Sequence, residues 1–270
     1  NIINRIKPDE IYNLAAQSFV ADSFVHPHFT SSINYLGVLN ILEAIKILKI
    51  DSRFYQASTS EMYGEVLEDI QNENTPFNPI SPYAISKLAS YHLVKNYRLA
   101  YNMHASNGIL FNHESEFRGR EFVTKKISTW LSEIKKNNKG PIPLGSLSST
   151  RDWGYAPEYV RAMKLIIEAN KPDDFVVSTN TNYSVRDFLR WCCEELDYDV
   201  EFIGKDNQEV CMERKTGIKL AYVDDKYYRP SDVKKLQGSF KKISEELNWK
   251  PQTFAKDIAR IMVRYDLNKS

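Results

Sequence analysis

Short apolar runs alternate with longer helical patterns over the first two-thirds of the chain, and this alternation constrains the fold more than any other feature. Three of the runs are predicted to be buried strands: EIYNLAA (10–16), RFYQAST (53–59) and ASNGILF (105–111). Helical patterns follow them, within 29–49, over 81–101 and from near Glu121. Strands that alternate with crossover helices form a parallel sheet, and such crossovers are nearly always right-handed. The predicted class is therefore α/β.

From about residue 140 the pattern is more broken. GPIPLG (140–145) is predicted to be a turn-rich connector and DFVVST (174–179) a further strand. A helix is expected over 184–198 with Ser184 as its N-cap, and a last helix after Pro251. We interpret this part as a smaller lobe that is interleaved with the end of the sheet domain.

Composition excludes several classes of function. The 36 basic and 35 acidic side chains nearly cancel, so the sequence has no electrostatic signature of nucleic acid or of an anionic membrane. No apolar run approaches the roughly 20 residues that span a bilayer. The three cysteines, two of them adjacent, form neither a disulfide framework nor a zinc spacing. The sequence therefore predicts no metal and a reducing, cytoplasmic compartment.

The pattern that carries chemistry is Tyr83-Ala-Ile-Ser-Lys87 in a predicted helix. An i,i+4 spacing places the phenol and the ammonium on one face, where the positive charge favours phenolate and lowers the tyrosine pKa. Thr59, at the end of the preceding strand, adds a hydroxyl. The three groups suit removal of an alcohol proton while hydride leaves the carbon. An exposed amphipathic Tyr–Lys pair is the alternative that the spacing alone leaves open.

A Gly-rich phosphate loop is not found in this sequence. A doubly wound dinucleotide domain carries that loop after its first strand, yet neither G-x-G-x-x-G nor G-x-x-G-x-x-G occurs here. The first residues already lead into a strand, so the functional protein is expected to be longer and this chain an incomplete fragment. If the 270 residues were complete, tight NADP binding would not be expected, and an inactive truncated relative would be one possible identity.

Seven stretches, in order along the chain, resemble the extended short-chain dehydrogenase/reductases and, among them, the GDP-mannose 4,6-dehydratases. They are NLAAQSFV (13–20), QASTSEMYG (56–64), SPYAISKL (81–88), NGILFNHES (107–115), EFVTKKI (121–127), RDWGYAPEYVRAM (151–163) and YYRPSDV (227–233). The resemblance implies a Rossmann-like doubly wound parallel sheet with a smaller C-terminal α/β substrate lobe. It implies that residues 1–140 form a partial dinucleotide-binding domain with the catalytic residues, and that 141–270 mainly bind the nucleotide sugar.

The family's reaction assigns four catalytic residues. The sugar is oxidised at C4 with NADP, water is eliminated across C5 and C6, and the hydride returns to C6. By similarity Tyr83 is the base at the 4-hydroxyl, Lys87 lowers its pKa and binds the nicotinamide ribose, and Thr59 hydrogen-bonds the 4-oxygen. A C4 ketone makes the C5 proton acidic, and Glu61, two residues after Thr59 on the same side of an extended segment, is the carboxylate expected to take it.

The resemblance also assigns binding residues. Those matching cofactor contacts are Ala15, Ala16, Ser18, Tyr83, Lys87, Leu110, Asn112, His113 and Arg118. Those matching nucleotide-sugar contacts are Ser60, Glu61, Asn112, Val123, Lys126, Gly145, Arg151, Arg229 and Asp232. Arg151 and Arg229 suit a pyrophosphate, because guanidinium offers a bidentate fork.

Two other functions remain as alternatives, beside the inactive truncated relative. The substrate implied is GDP-mannose or a related GDP-sugar, and the same residues would serve a GDP-heptose 4,6-dehydratase. A nucleotide-sugar C4 epimerase or reductase needs no Glu61, which argues against that class. Members of the family form dimers and tetramers, so a homo-oligomer is expected.

Overall fold

The structure, a computed structural model, describes residues 2–66, 68–227 and 236–269. Its strands are β1 Glu10–Asn13, β2 Arg53–Thr59, β3 Ala105–Leu110, β4 Asn112–Glu114, β5 Ile142–Leu144, β6 Thr150–Arg151, β7 Trp153–Tyr155, β8 Asp174–Val177, β9 Tyr183–Ser184, β10 Val200–Ile203, β11 Val210–Glu213 and β12 Lys219–Val223. Its α-helices are α1 Ile2–Ile6, α2 Val20–Val25, α3 Pro27–Ser31, α4 Gly37–Leu48, α5 Pro82–Tyr101, α6 Val123–Asn137, α7 Ala156–Glu168, α8 Val185–Glu195, α9 Lys241–Leu247 and α10 Ala255–Asn268. A π-helical segment, Ser32–Leu36, and short 3₁₀ turns, Ser60–Tyr63, Asp206–Gln208 and Asp225–Tyr227, complete the elements.

The chain forms two compact units. The first comprises Asn1–Phe111, Glu158–Asn180 and Ser231–Lys250, and the second Asn112–Pro157, Thr181–Pro230 and Pro251–Ser270. Each unit is therefore built from three separate stretches of chain. The functional division into a cofactor part, 1–140, and a sugar part, 141–270, stays a prediction.

The first unit is organised around one four-stranded sheet in the order β1-β2-β3-β8. Every pair in it is parallel, which confirms the predicted α/β class with a Rossmann-like sheet. Asn13 pairs with Gln56 and Thr59 with Leu110, so the carboxyl ends of the strands share one edge. In open parallel sheets ligands bind outside this edge.

Side chains from α4, α5 and α7 bury the faces of this sheet in separate apolar clusters. One cluster joins Leu42 and Val94 to Phe54, and another joins Ile166 to Phe175. Burial of such apolar surface is the main favourable term in folding, at about 25 cal/mol per Å². The sheet that carries the strand ends is thus firmly packed.

The free edge of β8 is protected by a side chain. Within the described residues β8 pairs with β3 alone. On its other side the Glu73 carboxylate accepts a hydrogen bond of 2.7 Å from the Val176 amide. Burial raises the pKa of Glu73. An unpaired strand edge is a template for pairing with another chain, and a carboxylate bound to it blocks that register.

Several boundaries differ from those that the sequence predicts. β1 ends at Asn13 rather than at residue 16, and Leu14 is exposed. The helix expected within 29–49 begins at Pro27 and contains the π-helical segment. GPIPLG is not only a connector, because it contains β5. β5 lies at the end of its sheet. A proline, which has no backbone N–H, is tolerated in such an edge strand because one side of the strand has no neighbouring strand to bond.

The second unit contains a mixed sheet in the order β10-β11-β12-β5. Its core is formed by α6, α8 and α10, with Leu131, Phe188 and Met262 fully buried together. Ser184 caps α8 in a capping box with Asp187, as the sequence predicts for the N-cap. Two short pairs, β4 with β7 and β6 with β9, complete the unit.

The described residues contain neither a candidate membrane-spanning helix nor a candidate metal site. None of the helices over 2–66, 68–227 and 236–269 is long and apolar enough to cross a bilayer. The same ranges contain no group of three or more His, Cys, Asp or Glu side chains arranged to bind a metal ion.

Candidate functional site

Lys87 anchors the candidate site to the centre of the sheet. It lies in α5, 4% exposed, and its Nζ donates a hydrogen bond of 2.9 Å to the Ala57 carbonyl oxygen in β2. Burial lowers the pKa of Lys87 to about 8. A lysine with this pKa is charged at neutral pH and becomes neutral in mildly alkaline solution. The predicted cation is therefore buried, and it bonds to β2 at Ala57, two residues before that strand ends.

Tyr83 lies one turn before Lys87 and is also buried, with 8% of its surface exposed. The Lys87 Nζ is 6.0 Å from the centre of the Tyr83 ring. Helix α5 begins one residue earlier at Pro82, with Ser81 capping the Ala84 amide through its side chain at 3.1 Å. The i,i+4 pair is therefore a buried pair on the sheet side of α5, and the alternative of an exposed surface pair is excluded.

Thr59 and Glu61 are joined where β2 ends. The chain leaves the strand in the 3₁₀ turn Ser60–Tyr63, and the Thr59 hydroxyl oxygen accepts a hydrogen bond of 3.2 Å from the Glu61 amide. A hydroxyl that accepts through a lone pair can still donate its own proton. Both side chains are half-buried, whereas Ser60 is 2% exposed. The turn thus places a hydroxyl and a carboxylate at the carboxyl edge of the sheet.

Gly64 permits this turn. It has a φ of +57°, in the left-handed region that favours glycine, and a Cβ there would lie 1.7 Å from the Asn78 carbonyl oxygen. The neighbouring backbone is bonded to the same residue, since Asn78 N–H donates to Met62 O at 3.1 Å and Glu65 N–H donates to Asn78 O at 3.2 Å. The turn that carries Glu61 is therefore tied to Asn78.

The loop after β1 is positioned by a residue that the sequence did not predict. Asn34 lies in the π-helical segment and is 1% exposed. Its side chain accepts from the Gln17 amide at 2.9 Å and donates to the Gln17 carbonyl at 3.1 Å and to Ser86 Oγ at 3.1 Å. Ser86 lies between Tyr83 and Lys87 in α5. A buried Asn in the middle of a predicted helix was the available signal, because such a polar group requires partners.

The predicted cofactor residues of the first unit border this loop and the strand ends. Ala15 and Ser18 are exposed and Ala16 is half-buried, in the segment that Asn34 binds. Leu110 ends β3 in register with Thr59. These residues and the four predicted catalytic residues all belong to the first unit and lie at or near one edge of its sheet.

The remaining predicted cofactor residues belong to the second unit. Asn112 and His113 are half-buried in β4, where they pair with Trp153 and Gly154. Arg118 lies against Glu114, with 3.1 Å between Nε and Oε2, and its guanidinium is 3.5 Å from the centre of the Phe122 ring. Burial raises the pKa of Glu114.

Two predicted sugar-binding residues of the second unit meet at Tyr227. The Lys126 Nζ lies 3.6 Å from the centre of the Tyr227 ring and donates a hydrogen bond of 2.5 Å to the Pro143 carbonyl oxygen. Burial lowers the pKa of Lys126. Gly145 approaches the same residue so closely that a Cβ would lie 2.9 Å from the Tyr227 carbonyl oxygen. The sequence included Tyr227 in a family stretch without assigning it a role.

The other predicted sugar-binding residues of this part of the chain are not described in contact with Tyr227. Val123 is the first residue of α6, one turn before Lys126. Arg151 lies in β6 and donates a hydrogen bond of 2.8 Å to the Thr150 carbonyl oxygen. Arg229 and Asp232 lie outside the described residues.

The residues of the first unit fit a nicotinamide cofactor. Lys87 supplies a buried ammonium that can donate to a ribose hydroxyl, beside a buried phenol. The loop over residues 14–18 supplies small side chains and backbone at the carboxyl edge of a parallel sheet, where such ligands bind.

A family model described as "GDP-mannose 4,6 dehydratase" matches residues 1–262 of the chain. A GDP-mannose 4,6-dehydratase from Sinorhizobium fredii is 46% identical over 269 residues, which cover 99% of this chain and 77% of that protein. These matches extend over nearly the whole sequence.

Solved structures share the fold at low identity. RMD from Pseudomonas aeruginosa complexed with NADPH superposes with a TM-score of 0.82 at 20% identity, covering 97% of this chain and 82% of that one. UDP-glucose 4-epimerase from Thermus thermophilus in complex with NAD has a TM-score of 0.83 at 22% identity, covering 100% and 81%. Both likenesses concern the fold alone.

Proposed function

Because the chain belongs to the GDP-mannose 4,6-dehydratase family, a family of nucleotide-sugar hydro-lyases, we propose that it dehydrates GDP-mannose to GDP-4-keto-6-deoxy-mannose. The observation that carries the proposal is the arrangement at the end of β2. There a hydroxyl and a carboxylate follow the strand on which the buried Tyr83–Lys87 pair is docked. An epimerase needs the Thr59 hydroxyl, the Tyr83 phenol and the Lys87 ammonium, but its reaction has no step that uses the carboxylate.

We propose NADP as the cofactor, whose nicotinamide would supply the hydride acceptor and donor for a reaction in which the net change is loss of one water. The NADPH in the Pseudomonas structure supports NADP, although the Thermus relative binds NAD. Lys87, Tyr83 and the loop at Ala15, Ala16 and Ser18 would contact it, with Leu110, Asn112, His113 and Arg118.

The first role of the chain's own residues is to take the proton of the 4-hydroxyl. Tyr83 accepts this proton as phenolate, and the buried Lys87 ammonium favours that charge. Thr59 accepts from the Glu61 amide, so its own proton is free to be donated to the 4-oxygen. This hydroxyl therefore fixes the oxygen that Tyr83 deprotonates.

The second role is elimination. A ketone at C4 acidifies the C5 proton, and Glu61 takes that proton and delivers one to the departing 6-hydroxyl. The Glu61 backbone N–H donates a hydrogen bond to Thr59 Oγ1, which holds the backbone of Glu61 two residues from the residue that contacts the 4-oxygen. For the nucleotide sugar we propose contacts from Ser60, Asn112, Val123, Lys126, Gly145 and Arg151, with Arg229 and Asp232 from outside the described residues.

The decisive experiment is the reaction in deuterium oxide. The cofactor-loaded enzyme is expected to convert GDP-mannose to the 4-keto-6-deoxy product with deuterium at C5. Glu61→Gln is expected to oxidise C4 but to lose C5 exchange, because the amide cannot take the proton. Full turnover of Glu61→Gln, or C4 oxidation without C5 exchange in the unaltered enzyme, would contradict the proposal. A GDP-heptose assayed in parallel identifies which sugar gives the larger kcat/KM.

We also propose that the enzyme is a cytoplasmic homo-oligomer. Its three cysteines are free and buried, as suits a reducing compartment. Large apolar side chains are exposed on helices of the first unit, among them Phe29, Ile47, Ile85 and Leu99. Sedimentation velocity should give a mass that is a multiple of one chain, and a monomer at micromolar concentration would contradict this part of the proposal.

A further inference from the structure

Tyr63 is the most deeply buried polar side chain of the turn that carries Glu61. Its surface is 0% exposed, and its ring packs 5.0 Å from that of Phe77 and 6.1 Å from that of Phe111, measured between ring centres. The phenol oxygen donates a hydrogen bond of 2.7 Å to the Asn72 carbonyl. Tyr63 therefore joins the turn to the segment that follows it by a single side-chain hydrogen bond in an apolar environment.

Asn78 makes further hydrogen bonds to this part of the chain. Its backbone bonds to Met62 and Glu65, its side-chain Nδ2 donates to the Glu65 carbonyl at 3.1 Å, and Gly64 allows the close approach of the Asn78 carbonyl. These hydrogen bonds are made at Met62, before Tyr63, and at Glu65, after Gly64. The Tyr63 side chain, by contrast, bonds to Asn72. Burial raises the pKa of Tyr63 well above its usual value, so the phenol remains a donor at every pH at which the enzyme would work.

We propose that Tyr63 is a positioning residue for the elimination step, in which it fixes the turn so that the Glu61 carboxylate reaches C5 of the sugar. This inference rests on the proposed function, because it concerns the step that Glu61 performs. Tyr63 itself touches no reacting atom. It acts through the backbone of the turn, two residues from the carboxylate.

The structure separates this step from the oxidation at C4. Tyr83 and Lys87 are held by α5 and by the Ala57 carbonyl in β2. Thr59 is the last residue of β2, in register with Leu110. None of these contacts involves the Tyr63 side chain; the Glu61 amide of the turn also donates to Thr59 Oγ1, but Thr59 is held independently by its place in β2. Loosening the turn therefore displaces the carboxylate and leaves the proton acceptor for the 4-hydroxyl in place.

Tyr63→Phe tests the inference, with Tyr91→Phe as the matched control. Tyr91 is an equally buried tyrosine that packs 5.0 Å from Phe77, but its phenol donates to Asp174 at 3.1 Å and has no bond to the turn. In rapid mixing with GDP-mannose, we expect Tyr63→Phe to reduce the cofactor within about twofold of the unaltered rate. Loss of water and deuterium uptake at C5 should fall about tenfold or more, since small misplacements of a reacting group are costly.

The control variant should leave both steps within about twofold of the unaltered enzyme, as expected where no reacting group moves. Equal losses of C4 oxidation and elimination in Tyr63→Phe would indicate general damage and overturn the inference. Unchanged elimination would overturn it as well.

Hydrogen exchange gives a readout that needs no substrate. In Tyr63→Phe the amides of Gly64, Glu65 and Asn78 should exchange faster, while the amides of β3 should exchange at their original rates. Unchanged exchange at the three amides would overturn the role of Tyr63 whatever the activity. If the unaltered enzyme fails to dehydrate GDP-mannose, the proposed function fails, and these amides still decide whether Tyr63 fixes the turn.

Discussion

The turn at Glu61 and the surface at Lys126 hold their functional side chains in different ways. The turn is fixed by backbone hydrogen bonds, a left-handed glycine and a buried phenol. The Lys126 surface, which we define as Lys126, Gly145 and Tyr227, depends on one ammonium that lies against the ring of an exposed tyrosine and donates a hydrogen bond to the Pro143 carbonyl. We expect the first arrangement to restrict the conformation of the turn and the second to adjust when a ligand replaces the contact between Lys126 and the Tyr227 ring.

This difference fits the separate demands of catalysis and binding. Proton transfer at C5 requires a carboxylate held within hydrogen-bond reach of one atom. A pyrophosphate or sugar hydroxyl can be met by a flexible ammonium in several positions, because Lys acts as a point charge. We therefore expect substitutions at the turn to change rate constants or stability, and substitutions at the Lys126 surface to change affinity.

The largest contrast should come from the two phenols. Tyr83→Phe removes the proton acceptor and is expected to lower kcat by about 10³-fold, within the range for loss of a general base. Tyr227→Phe keeps the ring beside Lys126 and should change kcat by less than about twofold. Steady-state kinetics of the two variants measures both. A large fall in kcat for Tyr227→Phe would show that the second surface takes part in chemistry.

The two glycines should differ in stability. Gly64→Ala meets both a positive φ and the Asn78 carbonyl, and should lower the free energy of unfolding by about 2–4 kcal/mol. Gly145→Ala meets one carbonyl at 2.9 Å and should cost about 1 kcal/mol, because the 3₁₀ turn at Tyr227 can shift. Urea unfolding followed by circular dichroism compares them. Equal costs would mean that the turn at Glu61 is as adjustable as the Lys126 surface.

Removing the ammonium of Lys126 should act on affinity. Lys126→Ala is expected to raise KM for the nucleotide sugar about tenfold, the effect of losing one charge-assisted hydrogen bond, with kcat nearly unchanged. Lys136→Ala, on the same helix, is the control, because its Nζ donates to the Lys269 carbonyl at an exposed position. A fall in kcat at constant KM would place Lys126 among the residues that act in the transition state.

The smallest effect concerns pH. Lys87 is charged below its pKa of about 8, so its support for the Tyr83 phenolate is present at pH 7 and is lost as pH rises through 8. The rate of C4 oxidation should fall to about half near pH 8. Lys87→Arg keeps its charge and should be slower but flat over this range. A decline at the same pH in the arginine variant would assign the titration to another group.

Much of the sheet unit was predictable because its elements obey local rules. RFYQAST and ASNGILF are almost continuously buried strands with crossover helices, and the structure has them at Arg53–Thr59 and Ala105–Leu110. Helix α5 begins next to its predicted start, since Ser81 is an N-cap and Pro82 suits the first turn. In such segments propensity, capping and burial agree.

The boundaries that the sequence missed depend on tertiary contacts. β1 ends at Asn13, and Asn34, distant in sequence, binds both backbone groups of Gln17 in the loop that follows. The π-helical segment that carries Asn34 is only five residues long, and no pattern of apolar residues in the sequence distinguishes it from the α-helix around it. β5 was hidden by Pro143, which is allowed only because its strand lies at the end of a sheet, a fact that strand order alone supplies.

Of the site, the sequence predicted the residue types and their neighbours in the chain, and not the contacts that fix them. Spacing placed Tyr83 and Lys87 on one face, but only the packing of α5 on β2 brings Lys87 to the Ala57 carbonyl. The bond from the Glu61 amide to Thr59 and the bond from Tyr63 to Asn72 depend on a 3₁₀ turn that no pattern indicated. The assigned roles of these residues stay predictions for the experiments above.

The carboxylate on the edge of β8 bears on how the protein behaves in concentrated solution. By occupying the Val176 amide, Glu73 denies an incoming strand the hydrogen bond from which intermolecular sheet growth would start. Because burial raises the pKa of Glu73, this acceptor loses its charge in weaker acid than an ordinary glutamate would. Because a neutral carboxyl group is a weaker acceptor than a carboxylate, we expect this edge to be least protected in mild acid and best protected at neutral pH.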